Sequence, residues 1–141
     1  MNLNYKAIKT GKELLRTNGT KTAFTLLDFW RWDASDLLNN TTRGRLTEFI
    51  VGSAVGMDFS TPRQEWDNYD LDTPSGIKIE VKSFAYIQSW KQEKNSSISF
   101  AISPTMAYNA ESGNREGPYK RHADIYVFLS LIHISEPTRP Y

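Results

Sequence analysis

The sequence predicts an α/β domain: a central sheet, mixed or mostly antiparallel, flanked by helices. Three observations carry this. Ile77, Ile79 and Val81 alternate with Lys78, Glu80 and Lys82, the period-two signature of a strand with one buried face. Ile98, Phe100 and Ile102 repeat that alternation, and residues 123–128 open a third such run. Between residues 43 and 57, Leu46, Phe49, Ile50, Ala54 and Val55 recur at helical spacing, a stripe fit to pack on a sheet.

Taken in order, Tyr5 to Arg16 reads as an amphipathic helix with Ile8, Leu14 and Leu15 on its apolar side and Asn18-Gly19 as its stop. Ala23 to Trp32 is dense in large apolar residues, including Phe24, Leu27, Phe29, Trp30 and Trp32, for which core packing is the expected fate. Ser35 can cap a short turn, and Asn39 to Thr42 breaks the chain before the helix of residues 43–57. Residues 1–42 are therefore expected to form a helical region packing on a core of residues 43–128. Residues 58–65 form a loop. Residues 84–92 either continue the preceding strand, with Gln88 and Trp90 on the Glu80 face, or form a short helix. Pro104 to Arg121 is polar, contains glycine and is long enough to be a functional or mobile loop.

At the centre lies the stretch of residues 66–83. Thr73-Pro74-Ser75-Gly76 carries turn chemistry, since proline presets φ and glycine permits the left-handed region. A hairpin pairing residues whose numbers sum to about 150 sets Asp70 opposite Glu80 on one face, with Lys82 next along it. A slip of one residue would send Asp70 to the other side. Alone, Glu80-Val81-Lys82 is the pattern of many solvated edge strands. With Asp70 opposite, it is also a site where two carboxylates hold a hard divalent cation through oxygen while a lysine acts on water.

The chain has 141 residues, formal net charge +1, and no cysteine, which excludes disulfides, zinc ribbons and thiol nucleophiles. Leu129 to Arg139 reads as the in-frame translation of a transposase sequencing adapter. Residues 129–141 are therefore set aside as a non-native tail whose alternation is accidental, and the natural chain is expected to run on after Phe128. That leaves His122 as the sole histidine, His133 falling in the tail, which argues against histidine-metal and Ser-His-Asp chemistry. No signal peptide or spanning apolar run is present, so the expected compartment is the cytoplasm and no membrane partner is expected. Lys6, Lys9, Lys12, Arg16 and Lys21 make the beginning basic, while Asp58, Glu65, Asp67, Asp70, Asp72 and Glu80 make the middle acidic. Basic charge returns from Lys82 to Arg121. Such an acidic centre between basic flanks suits a metal site within a phosphate-binding surface, or simply a solvated exterior.

Asp70, then Glu80-Val81-Lys82 in the following strand, resembles the core motif of the PD-(D/E)XK nuclease superfamily, with Tyr69 where the namesake pattern has proline. Members often carry an acidic residue on a preceding helix, and Glu48 stands in that place. The resemblance covers residues 43–128. It implies a restriction-endonuclease-like core, incomplete at the C-terminus, that hydrolyses DNA with Mg²⁺ or Mn²⁺. Asp70 and Glu80 would ligate the metal, the Val81 carbonyl would add an oxygen, and Glu48 would bind or orient through water. Lys82, its pKa lowered by burial, would position or deprotonate the attacking water, or stay charged and stabilise the transition state. Glu48 also has a plainer use as a surface partner of Arg45, three residues earlier. Arg45, Gln88, Lys91, Lys94, Arg115, Lys120 and Arg121 are the candidate nucleic-acid contacts. A homodimer is a possible assembly, and a truncated nuclease can be inactive. The alternative function is a catalytically inactive nucleic-acid-binding or assembly domain of the same fold.

Overall fold

A computed structural model of the chain describes residues 7–65 and 67–131. Tyr5 and Lys6 of the expected first helix, Trp66, and residues 132–141 with His133 lie outside the described residues. The chain divides into two compact units, Met1–Asp36 with Asp58–Arg63, and Leu37–Met57 with Gln64–Tyr141.

The first unit corrects the expected N-terminal helix. Its described part holds an antiparallel hairpin of β1 (Leu14–Thr17) and β2 (Thr20–Thr25). Asn18 and Gly19, read from sequence as a helix stop, adopt φ of 48° and 78°. Two successive positive φ values make the two-residue turn whose twist matches a hairpin, and Asn-Gly is its preferred sequence. The turn signal therefore outweighs an imperfect helical phase. Thr25 then caps α1 (Leu26–Ala34) by a reciprocal box: the Thr25 hydroxyl accepts from the Asp28 N–H at 3.2 Å, and Asp28 Oδ2 accepts from the Thr25 N–H at 2.7 Å. Ser35, expected to start a turn, closes α1 instead. No residue of α1 is buried, and Trp32 is 82% exposed, contrary to the core role expected of these aromatics. A nine-residue helix and a two-stranded ribbon offer too little surface to cover so many large side chains.

The second unit positions the site. Asn39 accepts from the Thr41 and Thr42 N–H groups and so starts α2 (Asn40–Ala54) three residues before the expected Arg43. Its buried face is Arg43, Thr47, Glu48, Val51 and Gly52. The predicted stripe is turned outward: Phe49 is 54% and Ile50 43% exposed. Small Thr47 and Gly52 permit close approach to the sheet, and the Thr47 hydroxyl donates to the Gly44 carbonyl at 2.7 Å, so its burial leaves no bond unmade.

The main sheet has the order β3-β4-β7, built from β3 (Leu71–Asp72), β4 (Lys78–Ala85) and β7 (Ile125–Leu131). β3 pairs antiparallel and β7 parallel with β4, so the sheet is mixed. The turn at Thr73 forms as expected, closed by Gly76 N–H to Thr73 carbonyl at 2.8 Å and by Ile77 N–H to the Thr73 hydroxyl at 2.9 Å. Pairing of Leu71 with Ile79 fixes the expected register. Asp124 locks the far edge: its carboxylate accepts from the Lys78 N–H at 2.9 Å, and its own N–H donates to the Lys78 carbonyl at 2.8 Å. Leu129 to Leu131 continue β7 opposite Ser83 to Ala85, and Leu129 packs on the core.

Two further expectations are corrected. Residues 97–104 form no strand, yet Phe100 stacks within 4.8 Å of the Phe128 ring and 6.3 Å of Phe84, so its alternation reflects packing without a ladder. Residues 104–121, expected to be a loop, carry a second hairpin, β5 (Thr105–Asn109) with β6 (Asn114–Lys120). The described residues are thus α/β, with small sheets and two helices.

The apolar core gathers Val51, Leu71, Ile79 and Val81, with Met57, Val127 and Leu129 against it. Ile77, expected on the buried face, stays 39% exposed beside the turn, whereas Ile79 is 3% exposed. Ile79→Ala should destabilise the chain by about 2–4 kcal/mol in urea unfolding. A loss under about 1 kcal/mol would mean that this cluster is not the stabilising core.

Candidate active site

The site lies where β3 meets β4, beside the buried face of α2. Asp70 sits one residue before β3, with its N–H donating to the Ile79 carbonyl at 3.0 Å. Its Oδ2 accepts from the Val81 N–H at 2.7 Å, which fixes the carboxylate across the strand pair. Among the described residues Oδ1 has no such bond. Glu80 and Lys82, two apart on β4 and therefore on one face, join as an ion pair through Glu80 Oε1 and Lys82 Nζ. The Glu80 side chain is 20% and the Lys82 side chain 37% exposed, so the pair is reachable from solvent.

Burial pushes the Asp70 carboxyl up to about 6, against an ordinary value of 3.8. The Val81 N–H and Lys82 oppose the rise, while the Glu80 and Glu48 carboxylates add to it. The structure therefore brings Asp70, Glu80, Glu48 and Lys82 into one electrostatic neighbourhood. Glu48 is 9% exposed and points with the buried face of α2. Its plainer use is corrected, because Arg45 pairs with Glu65 at 3.1 Å across a loop.

Among the described residues, no three His, Cys, Asp or Glu side chains form a group that could hold a metal ion. The oxygens available for direct contact are those of Asp70 and Glu80, with the Val81 carbonyl next after Glu80 in sequence. This is a donor set of hard oxygens with few carboxylates, the kind that suits a cation keeping several waters.

A family model of bacteriophage T4 endonuclease IV matches residues 6–138. The chain belongs to the bacteriophage T4 endonuclease IV family. Neither a curated protein nor a solved structure matches it. The family match spans both compact units and takes in most of the C-terminal stretch set aside on sequence grounds.

The remaining predicted contacts of this endonuclease IV relative are scattered. β4 ends at Ala85, so Gln88 is not on the Glu80 face of a continuing strand. It is 6% exposed, its Nε2 donating to the Ala85 carbonyl at 2.7 Å and its Oε1 accepting from Arg43 at 3.3 Å. Gln88 thus ties backbone together and has no exposed amide to offer a phosphate. Lys91 and Lys94 are exposed in the bends after β4. Arg115, Lys120 and Arg121 are exposed on or just after β6.

Sequence reasoning missed two residues. Arg43 is 4% exposed and bonds Leu38, Asn40 and Gln88. Asn68 Oδ1 accepts from the Tyr108 N–H at 2.7 Å, tying the β5–β6 hairpin to a point two residues before Asp70. Arg43 opens the predicted helix, where a buried cation has no periodic signature. Asn68 looks like any loop asparagine.

No helix among the described residues is long and apolar enough to cross a membrane.

Proposed function

We propose that the chain hydrolyses DNA phosphodiester bonds with a divalent metal held by Asp70 and Glu80, a PD-(D/E)XK-type site. The observation that carries this is the placement of Asp70, Glu80 and Lys82 around the Val81 backbone in a member of an endonuclease family. Asp70 keeps one oxygen on the Val81 N–H and the other available, and Glu80 keeps Oε1 on Lys82 and Oε2 available. These two oxygens and the Val81 carbonyl would hold Mg²⁺ or Mn²⁺. Glu48, deeper on α2, would act through a metal-bound water. The ion supplies polarisation of the scissile phosphate and a lowered pKa for attacking water. Lys82, held beside the carboxylates by Glu80, is placed to orient that water or to neutralise charge growing on the phosphate.

Calorimetric Mn²⁺ titration of the full chain, with end-labelled DNA cleavage in parallel, tests the reading. Metal binding and metal-dependent cleavage should both disappear in Glu80→Ala while the protein remains folded. A folded wild type that binds no Mn²⁺ even with DNA present would instead favour a DNA-binding or assembly domain without catalysis.

A further inference from the structure

We propose that the β5–β6 hairpin is the DNA-gripping arm of this site, holding the substrate strand beside the scissile phosphate through Tyr119, Lys120 and Arg121. This rests on the nuclease reading above and adds the element that would seat the substrate.

Among the described residues the hairpin pairs with no other strand, and every residue of β6 is exposed. A two-stranded ribbon left bare in this way buries little apolar surface, so folding alone gives it a weak purpose. Its placement gives it a stronger one. The Asn68–Tyr108 bond fixes β5 to the segment that leads into Asp70. At the base of the hairpin, the His122 ring shares a hydrogen bond with the Thr105 carbonyl at 2.8 Å, and Arg121 Nε donates to the Ile102 carbonyl at 2.9 Å.

The far strand is shaped to present side chains outward. Between Ala107↔Glu116 and Thr105↔Lys120 the register shifts, which marks a bulge at Gly117 and Pro118. Gly117 takes φ of 84°, which an L residue adopts only with strain. Pro118 brings no N–H to the ladder. Such bulges bend a ribbon and re-aim the neighbouring side chain. The side chain that follows is Tyr119, 70% exposed, and after it come Lys120 and Arg121. Lys120 makes no side-chain bond among the described residues, and Arg121 is held by Nε alone, leaving its terminal nitrogens for an oxyanion. An exposed ring followed by two cations complements a sugar-phosphate backbone and the face of a base. Of the hairpin's two carboxylates, Glu111 lies in the turn at the tip and Glu116 is bonded there to Ser112 and Asn109.

The test is fluorescence anisotropy of the full chain on labelled oligonucleotides, single-stranded and duplex of one sequence, in EDTA over a range of salt. Tyr119→Ala with Lys120→Ala should weaken binding to at least one DNA form about tenfold and lower the salt slope by about 1, with an unchanged melting temperature. Tyr119→Phe should restore the ring's share. Lys120→Ala alone serves if the double variant does not fold. Affinity within twofold of wild type and an unchanged slope on both DNA forms would overturn the proposal. Asn68 is a positioning residue: Asn68→Ala should keep its affinity in EDTA but scatter the cleavage positions on an end-labelled strand. Because binding is read without metal, a wild type that binds but never cleaves removes the nuclease reading and leaves the result on the hairpin standing.

Discussion

Asp70→Asn should lower DNA cleavage by roughly a thousandfold or more, and in metal-free buffer at pH 7.5 it should make the protein more stable. The two effects have one cause. Asp70 is a carboxyl taken partly out of water and placed beside Glu80 and Glu48, so its folded-state pKa is raised to about 6 from 3.8. Between those values the folded state holds a proton that the unfolded state releases. The stabilisation is therefore complete below pH 4 and is lost as pH rises through about 6. The residual exposure of the group screens part of the effect, which leaves roughly 1–2 kcal/mol of cost near neutral pH. Asparagine keeps an oxygen for the Val81 N–H, at 2.7 Å in the wild type, and carries no charge. Thermal unfolding in EDTA from pH 4 to 8 should therefore show the stability gap between variant and wild type opening as pH rises. A gap that is flat with pH would mean that Asp70 ionises as freely as in water.

On the proposed metal site, a divalent cation would reverse the balance, because it would bind the ionised carboxylate. Mn²⁺ affinity should fall about tenfold for each pH unit below about 6, with one proton released per ion bound in that range. The loss in rate would follow from removing the proposed anionic oxygen ligand, an interaction of several kcal/mol in a site of this kind, where each 1.4 kcal/mol is a factor of ten. Such destabilisation of the metal-free state is a common cost of placing a functional carboxylate.

The parts of this site that local chemistry dictates were legible in the sequence. Thr73 to Gly76 specified a turn, the alternation of Ile79 and Val81 specified a strand, and together they fixed the register that sets Asp70 against Glu80. Where two local signals competed, the reading failed. Asn18-Gly19 fits both a helix end and a hairpin, and the surrounding Leu14, Leu15 and Phe24 do not decide between them. The hairpin of residues 105–120 was hidden because its strands are polar, and polar alternation carries no periodic signal; the turn residues Ser112 to Asn114 were the available clue. The face of α2 was misread for a different reason. Apolar periodicity finds the most hydrophobic side of a helix, whereas this helix buries the side that carries Arg43 and Glu48.

That burial makes Arg43 the residue whose loss should cost the fold most. Arg43 is 4% exposed, and among the described residues its guanidinium is met only by neutral oxygens: Leu38 carbonyl at 2.8 Å, Asn40 Oδ1 at 2.5 Å and Gln88 Oε1 at 3.3 Å. Nε has no partner among the described residues, and burial lowers the guanidinium pKa. In return, Arg43 joins the start of α2 to the chain leaving β4. Gln88 passes the connection to Ala85 and Gln92, and Gln92 passes it to Tyr86 and Ser96. Arg43→Ala would strand the buried Gln88 Oε1, break the bonds to Leu38 and Asn40 and open a cavity, so about 3–5 kcal/mol of stability should be lost in urea unfolding. Arg43→Lys should recover little of it, because one ammonium cannot span three separated oxygens as a planar fork does. The same variants should speed hydrogen exchange in residues 86–96 more than in β4, since that segment hangs on the network and β4 is held by two neighbours. Recovery by lysine to within 0.5 kcal/mol of the wild type would mean that charge alone matters at this position. The fork geometry would then contribute nothing to holding α2 against the strand that carries Glu80 and Lys82.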